Sequence, residues 1–242
     1  MRAIQRLLQI LESVARSGSP TTPSVVARET GLSLSTVARL MQEMSAERLL
    51  VKSATGSSYT LGPALFQILQ DYSGRTDPIL AVRPLLVEVR DITGETTSLH
   101  VRDESQRVCI AEVQSRHEVR RVIPIGHALP LLGTATGEVL LAGVPHDEQR
   151  LFVDQMRLEG VEKQLLQERL DHIKQHGFAM KSDGILPDVT GISVPVIHGG
   201  VTIAALSCSG PTSRFTPERA HASLAPMREA ADRIAPRFAS SL

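Results

Sequence analysis

The chain has 242 residues, 42% of them hydrophobic and only 3% aromatic, with 26 basic and 26 acidic side chains that cancel to a formal net charge of zero. That length allows one large or two modest domains with aliphatic cores, and it holds no apolar run long enough for a membrane span and no signal-peptide layout. Its two cysteines, Cys109 and Cys208, lack metal-type spacing and fit a reduced cytoplasmic protein.

In chain order, Ile4, Leu7, Leu8, Leu11 and Val14 mark an amphipathic first helix, with Arg2 and Arg6 off its stripe and free to reach phosphate. Thr22 reads as the N-cap of a second helix, with Pro23 at the first helical position, where its missing N–H costs nothing. Val25, Val26 and Ala27 give this helix a short apolar face. Gly31 gives it a stop, because a left-handed residue is cheap without Cβ. A third helix starts at Ser33 or Leu34 and buries Val37, Leu40, Met41 and Met44. Ala27, Gly31 and Val37 have the spacing of a helix-turn-helix. Leu49–Lys52 and Ser58–Leu61 then read as two strands around Thr55-Gly56-Ser57, which makes residues 1–62 a winged helix-turn-helix.

That layout puts one helix in a DNA major groove. Ser33, Ser35, Thr36, Arg39 and Gln42 on that helix are candidate contacts, because hydroxyls, Arg and Gln suit phosphates and base edges. Arg6 and Thr22, and Lys52, Ser57 and Tyr59 on the wing, complete the set. Residues 1–62 carry seven Arg/Lys and four Asp/Glu, a net +3, against nineteen and twenty-two, a net −3, in the remainder. A basic head on an acidic body points to duplex DNA as the partner of the head.

Residues 63–77 read as a linker helix with Leu65, Ile68 and Leu69 on one side, a candidate dimer contact, broken at Gly74–Pro78. From 78 onward the pattern is mixed. Ile79, Val82, Leu86 and Val89 mark a helix containing Pro84. Thr97–Val101, Val108–Val113 and Val119–Ile125 read as strands, and His127–Leu132 as a loop. The small segment Gly133–Gly137 leads into a helix through Val139, Leu140 and Leu141. Helices follow near His146–Arg157 and Val161–His176. Phe178–Lys181 is a short strand and Ser182–Asp188 a loop. Thr190–His198 and Val201–Ser209 form a hairpin across Gly199-Gly200, expected in the middle of the sheet, and a helix runs from Pro217 toward Phe238. The fold class is α+β with a mostly antiparallel sheet.

These blocks carry a family resemblance. STVARLM, YTLG, LLVEVRDITGETTSLHV, IGHALPLLGTATGEVLLAG, HGFAMKSDG, TGISVPV and ALSCSGPTSRFT follow one another as in the IclR family of bacterial transcription regulators, which the chain resembles over nearly its whole length. The resemblance implies a winged-helix head, a linker helix and a GAF-like effector-binding domain over 78–242. It also implies homodimers or homotetramers, a palindromic operator, and a small organic effector, often a carboxylate or an aromatic catabolite. Carried over by motif, Leu131, Gly133, Thr134, Ala135, Val189, Gly191, Ser207, Cys208 and Ser209 wall the effector pocket. Amides where Gly133–Ala135 enters a helix suit an anion, Ser207 and Ser209 add hydroxyls from one strand face, and Leu131 and Val189 supply apolar contact. The chain departs from the family at Glu138, usually Lys, at Gly184 and Asp188, usually Glu and Gly, and at Leu34, often basic.

Two rival readings are weighed. His172 and His176 have the helical i, i+4 spacing of zinc ligands, but no Glu follows His172 and no third ligand is suggested. Neither cysteine has an evident base partner, and no P-loop or G-x-S-x-G is present, so no catalytic residue, cofactor or metal is assigned. A purely architectural DNA binder would not need so large a second domain.

Overall fold

A computed structural model describes residues 3–54, 56–73, 78–155 and 160–239. Arg2, Thr55 of the wing turn, the break over 74–77, the helix end toward Arg157 and the side chain of Leu69 lie outside the described residues. The chain forms two compact units, Met1–Arg75 and Thr76–Leu242.

The first unit contains α1 (Ala3–Arg16), α2 (Pro23–Thr30), α3 (Leu34–Ala46), β1 (Leu50–Lys52), β2 (Tyr59–Leu61) and α4 (Pro63–Ser73). Gly31 closes α2 in the left-handed region (φ 71°), and its N–H bonds the Ala27 carbonyl, so the chain can turn sharply into α3. Ser33 caps α3 by accepting the Thr36 N–H. Val37, Leu40, Met41 and Met44 are buried as one stripe against Ile10, Val14 and Val26. Thr22 holds the N-cap position of α2 but makes no side-chain cap; its hydroxyl bonds Ser24 at 2.9 Å. The stripe of α1 also differs from the expected one. Leu7, Ile10, Leu11 and Val14 pack inward, whereas Ile4 and Leu8 are exposed. One helical turn cannot bury both sets, and Ile10 wins the inward face.

The second unit contains α5 (Pro78–Thr93), β3 (Thr96–Asp103), β4 (Gln106–Val113), β5 (Ala128–Pro130), α6 (Ala135–Ala142), α7 (His146–Gln155), α8 (Gly160–His176), β6 (Ala179–Ser182), β7 (Val189–His198), β8 (Val201–Pro211), α9 (Pro217–Ala222) and α10 (Leu224–Ala239). Its sheet is antiparallel throughout, in the order β5-β4-β3-β8-β7-β6, with the Gly199-Gly200 hairpin inside it as expected. One face packs on α5 and α10 through Leu99, Val194, Leu206, Cys208 and Ile234. The other carries α6, backed by α7 and α8 through Phe152, Leu166, Leu170 and Ile173. Glu95 and Arg214 join distant parts of this unit in a bidentate pair at 2.5 and 2.9 Å.

Two expectations are corrected. Val119–Ile125 is not a strand, and His127–Leu132 is not only a loop, because Ala128–Pro130 forms the edge strand β5 beside β4. A bulge explains both. The β3–β4 register shifts between Leu99 and His100, leaving Ile110 as the extra residue of β4, and the ladder to β5 reaches only Val108. The segment before β5 is tied to the sheet by single bonds instead: the Thr96 hydroxyl to the Arg121 carbonyl at 2.6 Å, and the Ile123 N–H to Glu112 Oε1 at 2.5 Å.

Candidate effector cavity and DNA-facing surface

The bulge also sets the chemistry of the second unit. In β4, Ala111 and Val113 face α5 and α10. Past the bulge, Cys109 pairs with His100, so Cys109 and Arg107 turn to the opposite face. Ser98, His100, Ser207 and Ser209 share that face by register. There, between the sheet, the start of α6 and the loop 183–188, lies a cavity of about 200 Å³.

Its polar lining comes from Arg107, Arg121, Thr134, Thr136, Lys181, Ser207 and Ser209, and its apolar lining includes Ile123, Leu129, Ile185, Leu186 and Val189. Arg107 is 6% exposed, and burial pushes its guanidinium down to about 10, so it remains charged at neutral pH. Its Nη1 lies 2.9 Å from His100 Nδ1. A guanidinium only donates, so Nδ1 accepts, the ring proton sits on Nε2, and Nε2–H donates to Ser98 Oγ at 2.9 Å. Burial first, then Arg107 and Arg121, lowers the His100 pKa well below its ordinary value and keeps the ring neutral. Burial also lowers the Arg121 pKa.

Two buried polar atoms of the lining, Arg107 Nε and Ser209 Oγ, have no hydrogen-bond partner among the described residues. Lys181 is ion-paired: its Nζ lies 2.7 Å from Glu138, a buried carboxylate that also meets Arg169 Nε at 3.2 Å. At the start of α6, Thr134 Oγ1 accepts the Gly137 N–H at 3.1 Å. Thr136 Oγ1 donates to Ser207 Oγ at 2.9 Å.

Of the residues expected to wall the pocket, the structure brings Gly133, Thr134, Ala135, Val189, Gly191, Ser207 and Ser209 to this cavity. Leu131 and Cys208 are corrections. Leu131 is buried among the α6, α7 and α8 side chains. Cys208 alternates with the two serines, so it points to the α5–α10 side, where Sγ donates to Thr93 Oγ1 at 3.3 Å. Burial raises the thiols of Cys109 and Cys208 to about 12, which leaves neither as a nucleophile. Sequence reasoning missed Arg107, Arg121, Thr136 and Lys181. The signal was a lone Arg opening the apolar strand RVCIAEV, but only the bulge decides its side. Asp188, where the family has Gly, takes a left-handed φ of 58°, and its N–H bonds Asp183 at 2.7 Å.

In the first unit, Ser35, Arg39 and Gln42 are exposed along one side of α3, with half-buried Thr36 beside them. The Ser33 hydroxyl is engaged in the cap and lies 2.8 Å from Thr36 Oγ1. Lys52 and Ser57 are exposed on the wing. Tyr59 is a correction. Its backbone bridges Thr21 at 2.8 and 2.9 Å, which turns its ring into the core, 4% exposed, beneath Lys52. Arg6 is half-buried, and its Nε lacks a partner among the described residues. His172 and His176 stack on the exposed face of α8 at 4.0 Å, and among the described residues no group of three or more His, Cys, Asp or Glu is placed to hold a metal. No described helix is long and apolar enough to cross a membrane.

The sequence matches the IclR helix-turn-helix domain over residues 3–54 and the domain described as bacterial transcriptional regulator IclR C-terminal over residues 70–236. It is 26% identical to the HTH-type transcriptional repressor AllR of Klebsiella pneumoniae over 228 residues, covering 90% of this chain and 83% of that protein. It is likewise 26% identical over 226 residues to the HTH-type transcriptional regulator BhcR of Paracoccus denitrificans, covering 90% and 81%. The fold matches an IclR homolog from Microbacterium hydrocarbonoxydans, crystallised with 4-hydroxybenzoate, with a TM-score of 0.78 over 98% of each chain at 22% identity.

Proposed function

The chain belongs to the IclR family of bacterial transcriptional regulators, and on that premise we propose that a small organic carboxylate, bound in the cavity of the second unit, controls how tightly a dimer or tetramer holds a palindromic operator. The first unit is the family's DNA-binding helix-turn-helix domain and the second its effector-binding domain; the protein is a regulator and not an enzyme. Two heads reading two half-sites would transfer the symmetry of the protein to the DNA.

The observation that carries the carboxylate reading is the pair Arg107 and Arg121 in the cavity wall, neither of which has an ion-pair partner among the described residues. The N-terminus of α6 adds to it. First-turn amides have no intrahelical acceptor, and those of Ala135 and Thr136 belong to cavity-lining residues at the positive end of the helix dipole. Apolar side chains on the remaining walls suit the carbon skeleton of such an acid.

Footprinting over the DNA flanking the coding region, at moderate salt with non-specific competitor, tests the operator. Titration of organic acids into that complex tests the effector, with 4-hydroxybenzoate, the ligand of the Microbacterium homolog, as first probe. The expected result is a protected palindrome whose affinity shifts about 5- to 150-fold with a bound acid. Ser209→Ala should weaken the acid and leave ligand-free operator binding intact. Protection indifferent to every acid would sink the effector reading, and failure to select any DNA sequence would sink the operator reading.

A further inference from the structure

The cations of the cavity are not equivalent. Lys181 shares the Glu138 carboxylate with Arg169, whereas neither arginine of the wall has such a contact among the described residues. The other acid nearby, Glu112, accepts from the Ile123 N–H at 2.5 Å and from Gln114 Nε2 at 3.1 Å. Arg107 and Arg121 line the wall with no ion-pair contact among the described residues, although the charge of Glu112 acts on Arg121. Arg107 is anchored from behind. Neutral His100, fixed in one tautomer by Ser98, accepts from Nη1 and leaves Nε buried with no acceptor. A buried charged donor without a partner is costly, and among the described residues the hydrogen bonds of this guanidinium are incomplete. Ser209 Oγ, on a residue 7% exposed, is the second incomplete group of the same wall.

These groups come from β4 and β8, whereas the amides of Ala135 and Thr136 come from the start of α6. Apolar side chains of Ile123, Leu129, Leu186 and Val189 line the same cavity. We infer that the natural ligand is a dianion with an apolar body, one anionic group seated on the α6 N-terminus and the second on the Arg107 guanidinium beside Arg121 and Ser209. The inference rests on the cavity being the effector site, and it narrows that reading from any organic acid to acids with two negative groups. Arg107 is the residue that selects them. Its planar fork, fixed by His100, matches a carboxylate or phosphate in a way a lysine does not.

Calorimetric titration of the full chain with matched pairs tests this: butyrate against succinate, benzoate against phthalate and terephthalate, and glycolate against 2-phosphoglycolate. The last pair separates a phosphate from a carboxylate as the second group. In the unmodified protein at least one dianion should bind about tenfold or more tighter than its monoanionic partner. Arg107→Met should lower dianion affinity about tenfold or more beyond any loss it causes for the monoanion, so that the preference disappears, and Arg107→Lys should restore only part of it. Thermal unfolding and ligand-free operator binding verify that each variant is folded; if Arg107→Met does not fold, Arg121→Met is read in its place. Equal affinity for both members of every pair overturns the dianion inference and leaves the carboxylate reading standing if those acids also shift operator binding. A preference that survives in both arginine variants overturns it as well. Binding of no acid in any pair overturns this inference together with the effector reading.

Discussion

On the exposed side of α3, Arg39 is held by Glu43 one turn away, Nη1 to Oε1 at 2.5 Å, with both side chains more than half exposed. Such a helical pair adds only about 0.3–0.5 kcal/mol to folding, so its consequence falls on DNA binding. A guanidinium that reads a base must first leave Glu43, and Glu43 itself repels phosphate. Arg39→Ala is expected to weaken operator binding by about 1–3 kcal/mol, and Glu43→Gln to strengthen it, with thermal unfolding of both unchanged. Competition anisotropy on the footprinted operator measures both, and an Arg39→Ala protein of full affinity removes Arg39 from the contact set. In the second unit, His100 makes a pH prediction. Its folded pKa is depressed, so below the ordinary value of 6.5 the unfolded chain takes up a proton that the folded one refuses. Stability is then full above pH 6.5 and falls as the pH drops below it. Urea unfolding at stepped pH should show that fall, and His100→Gln should lessen it; an unchanged slope would mean the ring is not held neutral.

At the scale of the element, α6 shows how a short helix is made to fit. Thr134 caps it, and Gly137 lets the first turn sit directly on the chain before it: a Cβ there would lie 1.8 Å from the Leu131 carbonyl oxygen. Gly→Ala inside a helix ordinarily stabilises by about 1 kcal/mol. Here it should destabilise by about 3 kcal/mol, the upper end for overpacking, whereas Thr134→Ala should cost about 1 kcal/mol. A more stable Gly137→Ala protein in urea would show that the close approach is relieved at no cost. Elements whose evidence is local were legible in the sequence. The stop at Gly31, the stripe Val37–Met44 and the Gly199-Gly200 hairpin each follow from periodicity or turn chemistry. Val119–Ile125 misled because alternation speaks only of side chains, while strand pairing also needs a regular neighbour, and the bulge at Ile110 removes it. The part of the cavity built by Gly133–Ala135, Val189, Gly191, Ser207 and Ser209 was legible through motif blocks. Arg107 and Arg121 were not, because which face a strand residue takes depends on that bulge and on a segment with no ladder at all.

For the whole molecule, the question is how a ligand among residues 107–209 alters a head ending near residue 62. A ligand shifts operator affinity only to the extent that it binds one arrangement of the heads better than another. The last described element of the first unit before the chain enters the second is α4, and its composition is unusual for a route alone. Phe66 and Ile68 are 62% and 61% exposed, and Leu65 is half-buried. Exposed apolar side chains contribute little to the folding of one chain, so truncating Ile68 should be nearly silent in thermal unfolding and Leu65→Ala only mildly destabilising. That makes the pair a selective probe. If α4 transmits the signal, Leu65→Ala with Ile68→Ala should bind acid and operator each with near-original affinity yet lose the coupling between them, about 1–3 kcal/mol. The reading is reciprocal, since operator DNA should then also cease to change acid affinity, and both halves of the cycle can be titrated on one preparation. A double variant that retains the full ligand-dependent shift, with normal unfolding, would mean that α4 connects the two units without transmitting between them.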